Sequence, residues 1–209
     1  MKKIFITLSM MVIVLIGCSN DTEELKEFYN EFQETVRTEN GLSDVTDKFN
    51  TLEEERSDLQ DDLAAADMGE INEISTALIE NADKRLELID EEEEIMQESK
   101  ETAENANDAF EMISNESYII HAESLISAAD DRYDAHAELI DQLRVTLNAE
   151  KSVFEFLNEE EVTQDGIDEE INALNEEYGR LETLQNDLNT STERVNELKG
   201  EIRTLIDES

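Results

Sequence analysis

Three features of this sequence predict an all-α fold, an elongated antiparallel bundle of long, coiled-coil-like helices. Hydrophobic residues make up 38% of the chain and recur at helical spacing, proline is absent, and only six glycines occur in 209 residues. Proline costs a helix interior about 3 kcal/mol and glycine about 1 kcal/mol relative to alanine, so long helices meet almost no breaker here. Alternating β-branched runs joined by Asn-Gly turns are missing, and no strand pattern competes.

At the N-terminus, Lys2 and Lys3 precede a largely apolar stretch from Ile4 to Ile16, which is the layout of an export signal. The stretch falls short of the ~20 apolar residues that a helix needs to cross the hydrocarbon core. A segment that is removed therefore fits better than a permanent span. The tetrapeptide Leu15-Ile16-Gly17-Cys18 resembles a lipobox, in which the cysteine receives diacylglycerol before cleavage. Residues 1–17 are then a signal peptide, 18–21 a lipid-anchored N-terminus, and 22–209 a single elongated helical domain. Cys18 is the only cysteine, so an intramolecular disulfide and a cysteine-based metal cluster are both excluded. The competing reading is an ordinary buried thiol ending an uncleaved apolar helix. Two or three acyl chains on Cys18 hold far longer on a bilayer than one, which makes the outer face of the cell membrane the expected location.

Leu25, Phe28, Phe32 and Val36 share one face of the first mature helix, which is expected to stop at Asn40-Gly41. Val45, Phe49, Leu52, Leu59 and Leu63 repeat at 4-3 spacing with Arg56 as an interruption, and Asp67-Met68-Gly69 closes that helix. Another helix carries Ile71, Ile74, Leu78, Ala82, Ile89, Met96, Ala103, Ala106, Phe110 and Ile113. Ser114-Asn115-Glu116-Ser117 then supplies a turn or cap before Tyr118, Ala122, Leu125, Ala129, His136, Ile140, Leu143, Leu147, Phe154 and Leu157. Asp165-Gly166 is the expected break ahead of the last helix. There Ile167, Ile171, Leu174, Tyr178, Leu181, Gln185, Leu188, Thr192, Val195, Lys199, Ile202 and Ile206 follow the a/d pattern of a coiled-coil seam. Leu181 and Leu188 should therefore pack as knobs against a neighbouring helix. Short connections favour antiparallel neighbours in an up-and-down bundle or helical hairpin array.

The formal charge is −40 and becomes −42 once Lys2 and Lys3 leave with the leader. Such a field repels nucleic acid, which excludes that partner, and it repels phosphate-rich polymers unless divalent cations bridge the two. High charge with few aromatics is also the signature of disorder, but a disordered acidic tail would not need apolar residues at helical spacing.

The candidates for chemistry are sparse. His121 and His136 lie too far apart for a metal-ligand pair on one helix turn, and His136 falls on the seam, where a satisfied core histidine is the simpler reading. Asp90-Glu91-Glu92-Glu93-Glu94 could attract Ca²⁺ or Mg²⁺, yet consecutive helical residues fan out at ~100° each and cannot converge on one ion. Loose counterion association is expected instead. A nucleophile elbow, a glycine-rich phosphate loop and an HExxH helix are all missing, and no serine has a neighbouring base. The residues point to no catalytic group, no metal site and no cofactor.

Two segments, Lys84-Arg85-Leu86-Glu87-Leu88-Ile89 with the acidic run on to Lys100-Glu101, and Asp131-Arg132-Tyr133-Asp134-Ala135-His136-Ala137-Glu138-Leu139, carry a wider likeness. With the lipobox and the proline-free helical body, they make the chain resemble the family described as "putative cell-wall-binding lipoproteins" of Gram-positive bacteria. The resemblance implies a surface lipoprotein without enzymatic activity, attached to the wall in an undefined way. Peptidoglycan or another envelope component is the partner it implies, besides the membrane reached through the lipid on Cys18. An envelope scaffold is thus the first expectation. The alternative is a carrier or chaperone-like lipoprotein that holds an exported protein or small ligand between its helices.

Overall fold

A computed structural model describes residues 18–208, with side chains from Asp21 onward. Residues 1–17, where the sequence predicts a signal peptide and the lipobox residues Leu15, Ile16 and Gly17, lie outside the described residues, as does the side chain of Cys18. The described chain forms five α-helices, α1 (Cys18–Thr38), α2 (Leu42–Ala65), α3 (Ile71–Glu111), α4 (Glu116–Leu157) and α5 (Gln164–Asp207), with one 3₁₀ turn (Glu39–Gly41) between α1 and α2.

Asn40-Gly41 marks a helix boundary, as expected, but does not stop the chain. Gly41 has φ −62°, an ordinary right-handed value, and the 3₁₀ turn passes straight into α2. A Cβ at Gly41 would lie 3.1 Å from Ile95 Cδ1, so the glycine lets the turn sit close against α3. Both α1 and α2 pack on α3, α1 on its C-terminal half and α2 on its N-terminal half. The topology is accordingly up-down-up-down, with α1 and α2 forming one jointed member.

Of the remaining helices, α4 and α5 start on side-chain caps, while the turn before α3 is held by its own side chains. Asn115 Oδ1 accepts the backbone N–H groups of Ser117 and Tyr118 at 2.9 and 3.4 Å and starts α4. Asp67 Oδ1 accepts from Gly69 N at 2.8 Å in the α2–α3 turn. The expected break at Asp165-Gly166 is corrected, because both residues belong to the first turn of α5. The break is the segment before it, and Thr163 is the cap, its Oγ1 accepting from Gly166 N at 3.2 Å. Glycine stands at 166 because a Cβ there would overlap the Phe156 ring.

The bundle has two unlike ends. Near the start of α1, the C-terminus of α3, the start of α4 and the C-terminus of α5, four helices close around Leu25, Phe28, Phe32, Ala106, Ala122, Leu125, Leu198 and Ile202. Phe28 meets Phe110 edge to face at 6.3 Å. At the other end α2, α3, α4 and α5 form an open row. No Cα of α2 approaches within 8 Å of α5, and a small cluster of Leu78, Val153 and Phe154 is flanked by half-exposed Leu59, Leu63 and Leu174.

The α5 seam follows from this asymmetry. Leu174, Leu181, Leu188, Val195 and Ile202 face inward as expected, but the intervening inward positions are Glu177, Leu184, Ser191, Leu198 and Leu205. The first four stand one residue before the expected Tyr178, Gln185, Thr192 and Lys199, while at the end of the helix Leu205 and the expected Ile206 both pack against the core. Val195, Leu198 and Ile202 are buried, whereas Leu181 and Leu188 are only half-buried, and Ile171 and Tyr178 are 41% and 38% exposed. Along its N-terminal half α5 rests on α4 alone, so no second helix covers those knobs. Val36 is similarly 40% exposed, and the face of α1 continues through buried Thr35 instead.

Candidate functional site

Polar groups occupy the α3–α4 seam at regular intervals. Arg85, Glu92 and Ser99 stand one heptad apart on α3, and each meets a polar partner on α4. Arg85 Nη2 donates to Glu150 Oε1 at 2.7 Å, Glu92 Oε1 lies 3.0 Å from His136 Nε2, and Ser99 Oγ lies 2.9 Å from Tyr133 OH. Apolar layers, including Ile89 and Ile140, separate these rungs.

The first rung is the most buried. Arg85 and Glu150 are each 1% exposed, and all three guanidinium nitrogens of Arg85 donate. Its Nε donates to Asn81 Oδ1 at 2.9 Å and its Nη1 to Glu53 Oε1 at 2.6 Å. Asn81 in turn donates to the Leu52 carbonyl at 2.9 Å. Arg56 bonds Glu53 at 2.8 Å and sits 3.9 Å from Glu150, while Tyr178 OH donates weakly to Glu150 at 3.4 Å. Two arginines thus balance two glutamates across α2, α3 and α4, and α5 adds the Tyr178 hydroxyl. Burial works against the Arg56 charge, yet Glu150 and then Glu53 hold its pKa above the ordinary arginine value. Burial, followed by the charge of Glu150, raises the Tyr178 hydroxyl. Apart from the buried Arg56 Nε, which has no hydrogen-bond partner, these groups are engaged with one another. Such a network is suited to fixing helix register rather than to chemistry.

The sequence-predicted polar residues fall into this framework. His136 is 6% exposed and bonded to Glu92, a satisfied core histidine. His121 Nδ1 lies 2.7 Å from the Ser117 carbonyl one turn back on the same helix. The acidic run fans around α3 as its helical spacing requires, but four of its five carboxylates meet side-chain partners on the protein rather than only loose counterions. Asp90 and Glu93 bind Arg144, Glu91 binds Lys48 at 3.2 Å, and Glu92 takes His136. Bonds from Asp90 and Glu93 raise the Arg144 pKa. Among the described residues no group of three metal-type ligands converges.

A second polar assembly lies in the closed end, where α1, α4 and α5 leave a cleft of about 140 Å³. Phe32, Val36, Ala129 and Val195 give it apolar walls, and Thr192, Asn196 and Lys199 line it from α5. Glu39 is fully claimed on its far wall, taking a two-pronged bond from Arg132 at 2.7 and 2.9 Å and one from Ser99 at 2.8 Å. Lys199 makes no ion pair within 4.0 Å, and burial lowers its pKa, with Glu39 opposing the shift and Arg132 reinforcing it.

Sequence reasoning passed over Arg85, Glu150, Ser99 and the Glu39–Arg132 pair. A signal for the first two was present, because Arg85 completes the 4-3 series between Ala82 and Ile89, and Glu150 does so between Leu147 and Phe154. A charged residue in a seam slot implies a buried partner.

The geometry has counterparts among known proteins. A family model described as "Putative cell-wall binding lipoprotein" matches residues 23–204. The uncharacterized lipoprotein YkyA of Bacillus subtilis (strain 168) is 20% identical over 195 residues, covering 92% of this chain and 87% of that protein. The crystal structure of a conserved protein of unknown function from Staphylococcus aureus superposes with a TM-score of 0.79 at 22% identity, over 88% of this chain and 93% of that one. This likeness establishes the helical-bundle fold.

Proposed function

Since the chain belongs to the family described as "Putative cell-wall binding lipoprotein", we propose that it is a non-catalytic spacer and scaffold, tethered by lipid on Cys18 to the outer face of the cell membrane and reaching toward the wall. In this reading residues 1–17 are removed, residues 18–21 tie the chain to the bilayer, and residues 22–209 act as one domain. No helix among the described residues is long and apolar enough to cross a membrane.

The observation that carries the proposal is the placement of the ends. The start of α1, the α3–α4 turn and the C-terminal end of α5 gather at one pole, and the α2–α3 and α4–α5 turns gather at the other. A tether at the first pole holds the second about 65 Å away along α5, at ~1.5 Å per residue. That far pole presents Asp67, Met68, Glu70, Glu159, Glu160 and Glu161 to solvent. An acidic tip suits an amine-bearing or cation-bridged peptidoglycan contact better than direct contact with phosphate polymers.

Two experiments test this reading. Cys18→Ala should abolish incorporation of a labelled fatty acid and leave uncleaved precursor, and label that persisted would end the anchor claim. Full-length protein in neutral detergent should co-sediment with purified peptidoglycan, more strongly with Mg²⁺ than with chelator. Protein that stayed in the supernatant under both conditions would refute the wall contact while leaving the anchor standing.

A further inference from the structure

In a chain with 56 acidic and 16 basic residues, cations find carboxylates easily. Among the described lysines and arginines, all but Lys84 and Lys199 have an ion pair within 4.0 Å. Lys84 is exposed, where water solvates it. Lys199 is half-buried on the wall of the α1/α4/α5 cleft, so its ammonium has lost part of its hydration without gaining a counter-ion.

The one carboxylate in that cleft is already taken. Glu39 accepts both arms of Arg132 and the Ser99 hydroxyl, which leaves the cleft lining with one uncompensated positive charge. At physiological ionic strength, charges more than ~8 Å away are largely screened. The sign of the potential inside the cleft is therefore set by its own lining rather than by the net charge of the chain.

We infer that this cleft is a binding site for a small carboxylate bearing a short aliphatic group. Lys199 is the charge partner, Thr192 and Asn196 on the same face of α5 are the neutral donors, and Phe32, Val36 and Val195 are the apolar seat. The ammonium and donors of α5 stand against an apolar wall, as an amphipathic acid requires. At about 140 Å³, the space takes an amino-acid-sized group and refuses a folded chain. Free short-chain acids and the C-terminus of a peptide share this chemistry. The seam slip in α5 creates the site, because it leaves Thr192 and Lys199 lining the cleft between α1 and α4 while Leu198 takes the buried position. The inference stands apart from wall binding, since either can hold without the other.

Calorimetric titration of the full-length protein in neutral detergent tests it with three probes, namely N-acetyl-Ala-Ala with a free carboxylate, the same dipeptide as its C-terminal amide, and propionate. Saturable binding of the free dipeptide and none of the amide is expected. Tighter binding of the dipeptide than of propionate assigns the site to peptide termini, and equal or tighter binding of propionate assigns it to free acids. Lys199→Met keeps the aliphatic stem and should weaken binding about tenfold or more, as losing a charge-assisted bond does. Lys84→Met should leave it unchanged. Because Lys199 has no ion pair to lose, its methionine variant should melt no lower than the parent, so a loss of binding cannot be blamed on unfolding. No saturation by ~10 mM carboxylate, a range weaker than that of a specific small-ligand site, would overturn the inference, as would equal binding of acid and amide or a Lys199→Met variant that binds like the parent.

Discussion

The closed pole and the open half of this bundle share α3, α4 and α5 and the same kind of sequence, with α1 completing one and α2 the other, yet they are held together differently. Around Leu125 and Ile202 four helices surround an apolar core. Around Arg85 and Glu150 the helices form a row, and a buried ion pair extended by the half-buried Glu53 and Arg56 does much of the joining. An apolar layer gains stability from the area it removes from water and tolerates sliding. A buried ion pair contributes little net stability but strongly penalises a mismatch. The closed pole therefore supplies most of the strength, and the open half supplies alignment.

The largest effect should come from placing a charge in the closed pole. Ile202→Asp buries an unpartnered carboxylate at a site that is 0% exposed in the parent and should cost several kcal/mol, roughly 4 or more. Leu181→Asp, on the half-covered stretch of α5, should cost only about 1 kcal/mol. Thermal melts of the two variants measure the difference between the halves directly, and equal losses would break the comparison.

Arg85→Met alone should cost about 3–5 kcal/mol, because it strands Glu150. The double variant Arg85→Met with Glu150→Met should recover most of that loss. Denaturant titrations of the three proteins form a double-mutant cycle, and a double variant as weak as the single would mean that the network provides strength rather than alignment.

Next in size is Gly166→Ala. The added methyl must displace Phe156, which should cost about 1–3 kcal/mol despite the gain in helix propensity and should loosen the α4–α5 turn first. Hydrogen exchange can locate that loosening.

The smallest effect concerns Tyr133, whose pKa burial raises. A raised folded-state value means that the stability it contributes is intact below the ordinary tyrosine pKa of ~10 and is lost as pH climbs through the folded value. Tyr133→Phe should flatten that alkaline decline in a melting series above pH 10, while leaving the neutral melt lower by about 1 kcal/mol for the lost bond to Ser99.

Much of the architecture is readable before any coordinates. Missing proline and heptad spacing predict the helices, and Asn115 and Asp67-Met68-Gly69 mark their limits. The α5 phase is harder. Val195 and Ile202 belong to either reading of the 4-3 pattern, and only the neighbours of α5 decide whether Leu198 or Lys199 points inward. The same holds for Gly41 and Gly166, which look like breakers locally but serve close approach to Ile95 and Phe156. The cleft was least legible, because Lys199 reads as a polar flaw in a seam until α1 is laid beside it.

The rungs of the α3–α4 seam are all different, and that constrains how the gene can change. If α3 slid by one heptad toward its own N-terminus, Glu92 would face Glu150 and two carboxylates would share a dry site. The opposite slide would leave Glu150 facing Leu78. An insertion in one helix alone is therefore rejected wherever it falls between rungs, and length can change only through matched insertions or deletions on both sides of the seam. The reach of the molecule is in this sense a heritable measurement, protected against drift by the order in which its polar residues are strung.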